Sequence, residues 1–433
     1  MAWLDKLKLK KSLVQAATEA GLVSPKEIQQ KTLARINSGQ DVIVVGPEGC
    51  GKTTTYILAA LNKFNYTPDG VPRVLILVPS KEKVEEVIAQ IDMLNKNKSL
   101  AIVALFATPG TEAQMNAMAD GADIVVTTPD RARAIYLKLG LDVNKIELLV
   151  IDDAELIVKQ GLQLPATELE HSIPKCQHLV FTEVLHERLN KMITPFMKQP
   201  AIVEVEEIGE PQFDTHPQLL YLLPNFGTKV NLLHLFMQDE DVFTKVALFV
   251  NTRPTAEKLY KSLHKGKSTV ALLNPWFFEM DGFTAVADFK NADTRVLIVV
   301  NDAEQRPDVT DIPFLIHFEL PLEKETYINR VINNSPDVEN ETMTITFATD
   351  LELSAVKKIE QAIGQKIPLG ELPEDLLIEK ERISTDGAEK KAAKAKADDD
   401  APGAAFHQKK ASNAKNYNLK ASEKAKMNNK KKH

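Results

Sequence analysis

Short runs of Val, Ile and Leu alternate with longer amphipathic segments over most of the chain, and this alternation restricts the possible folds more than any other feature. Such runs predict buried strands of a parallel sheet, and the segments between them predict helices. The result is a doubly wound α/β domain. In the first half, the predicted strands are Val42–Val45, Val74–Val78, Ala101–Phe106, Asp123–Val126, Leu148–Ile151 and His178–Phe181. The predicted helices are Thr53–Asn62, Lys83–Leu94, Glu112–Ala119, Asp130–Leu139 and His186–Phe196.

The same alternation starts again after residue 215. It predicts strands at Gln218–Leu223, Val246–Val250, Thr269–Leu273, Val296–Val300, Phe314–Phe318 and Thr342–Phe347. It predicts helices at Lys229–Met237, Thr255–Leu263, Phe283–Phe289, Lys324–Val331 and Leu353–Ile363. We therefore expect two tandem domains, residues 1–208 and 213–375, joined through the polar segment Glu206–Gln212. Residues 376–433 are rich in Ala, Lys, Asp and Asn, a composition that predicts a disordered tail.

Composition excludes several classes of protein. The sequence has no stretch approaching the ~20 consecutive apolar residues of a membrane helix, and its first residues lack the apolar core of a secretory signal. Two cysteines, Cys50 and Cys176, cannot build a disulfide framework or a cysteine-rich metal site. We expect a cytoplasmic, multidomain globular protein.

Charge is distributed unevenly along the chain. Residues 379–433 hold 15 Lys and Arg against eight Asp and Glu, which gives a net charge of +7. Because the whole chain has a net charge of −7, residues 1–378 carry a net charge of −14. A basic tail on an acidic body indicates either a segment that binds a polyanion or a solvated, solubilising end. Charge alone leaves both interpretations open.

A phosphate-binding motif follows the first predicted strand. Gly46–Thr53 fits G-x4-G-K-[ST], with a strand before it and a helix after it, which is the context of a P-loop. Its glycines allow backbone N–H groups to surround phosphate, while the helix N-terminus adds positive potential. The predicted nucleotide-binding residues are Gly46, Gly49, Gly51, Lys52 and Thr53. Lys52 is expected to reach the β- and γ-phosphates, and the Thr53 hydroxyl to bind Mg²⁺.

Two carboxylates end the strand Leu148–Ile151, about 100 residues after the P-loop. Asp152 stands where the Mg²⁺-linked aspartate of P-loop enzymes is found, so we predict a magnesium site at Thr53 and Asp152. The alternative is a solvated acidic pair with no ligand. The adjacent P-loop favours the magnesium site.

Together these segments resemble the DEAD-box ATP-dependent RNA helicases of helicase superfamily two. The resemblance covers roughly residues 1–375 and consists of short motifs in the family's order. In the first half these are Gly21, Pro25, Ile28 and Gln29 of an adenine-reading Q motif, Gly39-x-Asp41, the P-loop, Pro79–Glu82, Thr128–Arg131 and Asp152–Glu155. In the second half they are Phe249–Arg253 with Ala256-Glu257, Glu319–Pro321 and Tyr327-x-x-Arg330.

The resemblance implies two RecA-like domains that bind ATP and Mg²⁺ between them and hold RNA across both. ATP closes the cleft and strains an RNA duplex, and hydrolysis reopens it. The implied catalytic residues are Lys52, Asp152 and Asp153, with Gln29 and Asp308 as further ATP-binding residues. The implied RNA-binding residues are Pro79, Lys81, Thr128, Arg131 and Arg253. A monomer is expected.

Several family positions are altered. The glutamate that activates water in the family is Asp153, one methylene shorter, and the two arginines that contact the γ-phosphate are Asn333 and Pro336. Motif III reads Thr182-Glu183-Val184, motif V reads Val300-Asn301 and then Glu304-Gln305-Arg306, and the phosphate-contacting motif IVa reads Glu279–Gly282. These changes predict a helicase with weakened turnover.

Two other interpretations compete with this one. A pseudo-helicase would bind RNA under the control of nucleotide, or act as a scaffold, without significant hydrolysis. A P-loop enzyme acting on protein or DNA is disfavoured by Gln29 and by the Thr-Pro-x-Arg and Asn-Thr-Arg segments. Because the phosphate-contacting motifs are eroded, we expect much of the RNA affinity to lie in residues 401–433, where nine lysines accompany one acid, Glu423.

Overall fold

Two parallel seven-stranded sheets, each covered by helices on both faces, make up the part of the chain that the structure describes. The computed structural model describes residues 9–22, 24–63, 69–106, 110–206, 213–266, 268–276, 280–301, 307–333 and 342–379. Both sheets lie within one compact unit, Met1–Glu379. The architecture is the predicted pair of doubly wound, RecA-like α/β domains.

The first sheet contains strands β1 to β7 in the order β3-β4-β2-β5-β6-β1-β7. The strands are β1 Val42–Val45, β2 Val74–Leu77, β3 Ile102–Leu105, β4 Ile124–Thr127, β5 Leu148–Ile151, β6 Gln177–Thr182 and β7 Ala201–Glu204. The helices are α1 Lys11–Glu19, α2 Glu27–Asn37, α3 Lys52–Lys63, α4 Lys81–Leu94, α5 Thr111–Ala119, α6 Pro129–Tyr136, α7 Ala154–Lys159, α8 Gln163–His171 and α9 Glu187–Ile193.

The second sheet contains β8 to β14 in the order β11-β10-β12-β9-β13-β14-β8. Its strands are β8 Gln218–Leu222, β9 Val246–Val250, β10 Val270–Leu273, β11 Gly282–Phe283, β12 Val296–Val300, β13 Phe314–His317 and β14 Met343–Ala348. Its helices are α10 Phe226–Gln238, α11 Arg253–Lys265, α12 Val286–Asn291, α13 Lys324–Val331 and α14 Leu353–Ile363, with a 3₁₀ turn at Asp350–Glu352 before α14.

Alternation along the buried strands explains why helices cover both faces. In β1, Val42 and Val44 belong to one apolar cluster, whereas Ile43 and Val45 belong to the cluster on the opposite face. Since successive side chains of a strand point to opposite faces, a continuous apolar run needs cover on both sides. The Val- and Ile-rich strands therefore select this layered fold.

Parallel pairing brings the carboxyl ends of the strands to one edge of the first sheet. Strand β1 lies between β6 and β7, and β5 lies between β6 and β2. The residues that follow these strands therefore meet at one edge, where ligands of open α/β sheets bind. This edge carries the P-loop, Asp152 and the motif that begins at Pro79.

Some predicted elements were wrong or incomplete. The expected helix Phe283–Phe289 begins only at Val286, because Gly282–Phe283 pairs as a short strand with β10. The patterns did not predict β7 or the helices α1, α2, α7 and α8. The predicted linker beyond Glu206 and the tail from Lys380 onward lie outside the described residues. Among the helices that the structure describes, none is long and apolar enough to cross a membrane.

Candidate nucleotide-binding site

The P-loop lines a cleft of about 890 Å³ at the carboxyl edge of the first sheet. Two of its glycines adopt left-handed backbone conformations, Gly49 with φ +80° and Gly51 with φ +100°. Glycine enters this region without the steric penalty that other residues incur. The cleft is lined from the predicted set by Gln29, Gly49, Gly51, Lys52, Thr53, Pro79 and Asp153. The loop therefore has the backbone form that its sequence predicted.

Lys52 is held inside the curve of the loop. Its Nζ donates hydrogen bonds to the carbonyl oxygens of Gly46 at 2.8 Å and Pro47 at 3.0 Å, and the residue is 7% exposed. Lys26, at the start of α2, donates to the carbonyl oxygen of Gly49. Two ammonium groups thus lie against the loop's carbonyls and concentrate positive charge there.

Gln29, the predicted adenine-reading residue, lies against the P-loop. Its side chain is buried, and its Oε1 accepts a hydrogen bond from the Lys26 backbone N–H at 3.1 Å, closing the first turn of α2. Its Nε2 is 3.5 Å from the point where a Cβ on Gly51 would stand. Gly21 and Leu22 line the same end of the cleft. The amide therefore borders the same cleft as the P-loop.

Asp152 is fully buried and faces Thr53. Its Oδ2 accepts hydrogen bonds from the Tyr56 hydroxyl at 2.9 Å and from Thr53 Oγ1 at 3.3 Å. Burial, and then the negative charge of Asp153, raise the pKa of Asp152 to about 7. The hydroxyl and the carboxylate lie side by side and are the hard oxygen donors that Mg²⁺ prefers. The pair fits the predicted magnesium site. In the described part of the chain, this site included, no group of three or more His, Cys, Asp or Glu is arranged to hold a metal.

A lysine that the sequence analysis did not identify lies beside Asp152 and Asp153. Lys83 Nζ lies 3.3 Å from Asp153 Oδ2 and 3.9 Å from Asp152 Oδ2. Although burial opposes it, the charges of the two aspartates raise the pKa of Lys83 to about 12. In the sequence it follows Lys81-Glu82 at a helix start, a pattern typical of a solvated surface. Only the fold brings it to the strand end.

A side-chain hydrogen bond joins motifs II and III, although residues of both motifs are altered. Thr182 Oγ1 donates a 2.6 Å hydrogen bond to Glu155 Oε2, and both residues are buried. Burial raises the pKa of Glu155 to about 7. A contact between the ends of β5 and β6 is therefore maintained by a Thr–Glu pair.

The second domain reaches this cleft through α14. Ser354 and Lys358 line it, and Lys358 Nζ lies 2.9 Å from Glu48 Oε2 of the P-loop and 3.6 Å from Glu183 Oε1. The sequence analysis missed Lys358, although paired lysines on a strongly amphipathic helix were a possible signal.

Other predicted contacts from the second domain lie elsewhere. Asp308, a predicted ATP-binding residue, is exposed and accepts a 2.6 Å hydrogen bond from Thr310 Oγ1, away from the cleft lining. The Arg330 guanidinium lies 3.8 Å from the centre of the Phe249 ring and is also absent from the lining. Asn333 donates its backbone N–H to the Asp214 carbonyl. Pro336, Glu279 and Glu304–Arg306 lie outside the described residues.

The predicted RNA-binding residues divide into two groups. Pro79, Lys81, Thr128 and Arg131 follow the neighbouring strands β2 and β4, so they share one edge of the first sheet. There Arg131 Nε donates a 2.6 Å hydrogen bond to Gln114 Oε1, while Lys81 Nζ lies 3.5 Å from Glu85 Oε1. The other group is Arg253 alone, at the start of α11, with its guanidinium 5.5 Å from the Trp276 ring centre.

Comparison with known proteins finds similarity to one family of helicases. Residues 26–191 match the model of the DEAD/DEAH box helicase family. The chain is 27% identical over 383 residues to the ATP-dependent RNA helicase DeaD of Klebsiella pneumoniae, covering 87% of this chain and 58% of that protein. It is 24% identical over 378 residues to the ATP-dependent RNA helicase eIF4A of Candida albicans, covering 86% and 92%. The similarity to the DEAD/DEAH box helicase model over residues 26–191 and to these RNA helicases agrees with the resemblance that the sequence motifs indicate.

Solved structures of similar architecture include a DEAD box protein from Methanococcus jannaschii, with 19% identity, a TM-score of 0.48 and coverage of 85% of this chain and 98% of that one. They also include S. cerevisiae Dbp5 bound to RNA and ADP BeF3, with 20% identity, a TM-score of 0.45 and coverage of 90% and 98%. The chain spans less than two thirds of the length of several DeaD relatives, for example 60% of the Escherichia coli protein.

Proposed function

We propose that this protein is an ATP-dependent RNA helicase of the DEAD-box type that binds ATP with Mg²⁺, binds RNA and remodels short RNA duplexes with weakened turnover. The observation that carries the proposal is the convergence of Lys52, Gln29 and Thr53 on one cleft, with Asp152 buried 3.3 Å behind the Thr53 hydroxyl. The proposed domains are residues 1–208 and 213–375, followed by the tail 376–433. We place the protein in the cytoplasm as a monomer.

In this proposal, the P-loop and Lys52 bind the phosphates of ATP. The Lys52 ammonium would exchange the carbonyls of Gly46 and Pro47, now 2.8 and 3.0 Å away, for phosphate oxygens. Thr53 and Asp152 would hold Mg²⁺, which neutralises charge on the β- and γ-phosphates. The Gln29 amide would hydrogen-bond the adenine edge, a pairing that glutamine geometry suits well.

Hydrolysis is expected to be slow for two reasons. Asp153 replaces the water-activating glutamate, and a displacement of about 1 Å costs about 100-fold in rate. Lys83 also holds the Asp153 carboxylate at 3.3 Å. In related NTPases a missing arginine finger costs about 10³–10⁵-fold, and no arginine of the described second-domain residues lines the cleft.

RNA is proposed to bind along the shared strand ends that carry Pro79, Lys81, Thr128 and Arg131, and at Arg253 of the second domain. Lys81 and Arg253 are exposed and positively charged, which suits phosphate contacts. Single-stranded RNA and short duplexes are the ligands that such backbone contacts would accept. Protein partners are not part of the proposal.

The ion pairs that Lys83 and Lys358 make in the cleft favour a second candidate function. In this alternative the protein binds RNA under the control of nucleotide, or acts as a scaffold, without significant hydrolysis. Steady-state ATP hydrolysis with and without RNA, together with strand displacement of a short RNA duplex, separates the two. Slow hydrolysis that RNA stimulates, with duplex release, supports the helicase. Nucleotide-dependent RNA binding without turnover supports the second function, and failure to bind nucleotide refutes both.

A further inference from the structure

Lys83 occupies a position that neither motif nor charge pattern explains. It is the third residue of α4, whose start is fixed by the Ser80 hydroxyl accepting the Lys83 backbone N–H at 3.3 Å. The cap directs the side chain along the edge where β2 and β5 end. Its side chain is 19% exposed, whereas that of Lys81, one position before Glu82, is 46% exposed. Lys83 is thus an inward-facing cation of the cleft.

The ammonium of Lys83 and the Thr53 hydroxyl approach the same carboxylate oxygen. Asp152 Oδ2 lies 3.3 Å from Thr53 Oγ1 and 3.9 Å from Lys83 Nζ. The ammonium also lies 3.3 Å from Asp153 Oδ2 and 3.3 Å from Glu86 Oε2 at the cleft rim. A divalent cation bound by Thr53 and Asp152 would therefore share these oxygens with a positive charge only a few ångströms away. Like charges at such a distance repel strongly inside a partly buried site.

We propose that Lys83 is a built-in counter-ion of the aspartate pair, so that the Mg²⁺ that Thr53 and Asp152 would hold binds weakly and adds little to the affinity for nucleoside di- or triphosphates. Lys83 offsets part of the negative charge of Asp152, Asp153 and Glu86, which would otherwise repel the phosphates of a nucleotide. It is a positioning and specificity-determining residue, and the argument rests on the nucleotide site proposed above.

Divalent-cation binding without nucleotide tests the proposal directly. Mn²⁺ serves as a probe of the hard-oxygen site, and free Mn²⁺ is measured by electron paramagnetic resonance. Lys83→Met removes the charge but keeps a long flexible side chain, and we expect it to bind Mn²⁺ at least about tenfold more tightly than the wild type. Lys83→Arg keeps the charge and should resemble the wild type. Lys261→Met removes a lysine from an exposed pair with Glu257 and serves as the charge control.

Nucleotide affinity supplies the second measurement. Fluorescent ADP is titrated into wild type and Lys83→Met, in excess Mg²⁺ and in EDTA. Removing Mg²⁺ should weaken wild-type affinity by less than about threefold and that of Lys83→Met by more than about tenfold. Circular dichroism melting verifies that the variants are folded.

The two measurements separate failure of this inference from failure of the proposed function. Equal Mn²⁺ affinity in wild type and Lys83→Met overturns the role of Lys83, as does an equal loss of ADP affinity in EDTA. If neither protein binds ADP under any condition, the nucleotide-binding function is refuted, and the Mn²⁺ comparison still decides whether Lys83 acts as the counter-ion.

Discussion

Lys358 Nζ lies 2.9 Å from Glu48 Oε2, joining α14 of the second domain to the P-loop across 310 residues of sequence. The same ammonium lies 3.6 Å from Oε1 of Glu183, a residue of the altered motif III. Lys357 Nζ beside it donates a 3.2 Å hydrogen bond to the Glu183 carbonyl. Among the described residues of the second domain, the cation that lines this cleft is therefore a lysine of α14, paired with acids of the first domain.

Charge reversal at Lys358 should open the contact between the two domains. Lys358→Glu places a third acid beside Glu48 and Glu183. We expect the contact between the two domains to be weakened by about 1 kcal/mol, which is the upper end of the range for a partly exposed ion pair. Small-angle scattering should then report a larger radius of gyration. The double variant Lys358→Glu with Glu48→Lys should recover part of the change. Lys261→Glu, which disturbs only an exposed pair within α11, should leave the radius unchanged.

Lys52→Ala should weaken nucleotide binding strongly. The variant deletes the ammonium that the P-loop carbonyls hold at 2.8 and 3.0 Å, and losing a charge-assisted contact to phosphate costs about 100-fold in affinity. Titration with fluorescent ADP measures the loss, with Lys261→Ala as control. Unchanged ADP affinity would show that the nucleotide does not use this loop.

A buried carboxyl should make stability depend on pH. Burial raises the pKa of Glu155 from its ordinary value of 4.5 to about 7, so the folded state holds a proton that the unfolded state has lost. Stability should therefore fall as pH rises from about 4.5 to about 7 and level off above that, by up to about 3 kcal/mol from this group.

Glu155→Gln tests this pH dependence. The amide is neutral at every pH and retains an oxygen that can accept the hydrogen bond from Thr182 Oγ1. Urea unfolding at pH 5 and pH 8 should show a smaller difference between the two pH values for the variant than for the wild type. If the wild type is equally stable at both pH values and the variant matches it, the carboxyl is ionised in the folded protein.

Sequence patterns predicted the central strands well and the edges poorly. Four strands, among them Val42–Val45 and Val246–Val250, match in full because a buried parallel strand is a continuous apolar run. The missed strand Ala201–Glu204 is an edge strand, and two of its four residues are exposed, so it has no such run. The helices α7 and α8 were missed because they are short and separated by Gly161, which has a φ of +74°.

The candidate site was predicted where local motifs define it and missed where distant residues complete it. The P-loop conformation and the Thr53–Asp152 contact follow from motifs that carry their own backbone requirements. Lys83 and Lys358 become part of the site through partners about 70 and 310 residues away. Their sequence neighbourhoods resemble ordinary solvated helices, so only tertiary packing identifies them.

Restoring family residues should raise ATP turnover. We expect Asp153→Glu combined with Asn333→Arg and Pro336→Arg to hydrolyse ATP faster than the wild type in the presence of RNA, because the combination supplies a longer base and two cations. A phosphate-release assay measures the rate. The matched control combines Asp153→Glu with Asn333→Gln and Pro336→Gln. A wild-type rate as high as that of the restored variant would show that another group, with Lys358 the first candidate, already supplies the charge.

The last prediction concerns residues 401–433, which lie outside the described residues and carry nine lysines and one acid, next to a body with a net charge of −14. We expect RNA affinity to reside largely in this segment. Phe406 and Tyr417 can stack on unpaired bases at ~1–3 kcal/mol each. Binding by counterion release should weaken with salt and should show little sequence preference. The logarithm of the binding constant should fall with the logarithm of the salt concentration, with a slope of about −0.7 per phosphate neutralised on single strands.

Truncation after Lys380 should reduce both the RNA affinity and this salt slope. The truncated and full chains are compared in fluorescence-anisotropy titrations of single-stranded RNA at several salt concentrations. A full-length variant with the nine lysines changed to glutamine keeps the segment's length and should behave like the truncation, since charge is what binds. If both variants retain the wild-type affinity and salt slope, the strand-end residues Lys81, Arg131 and Arg253 must hold the RNA, and the tail is a solubilising end.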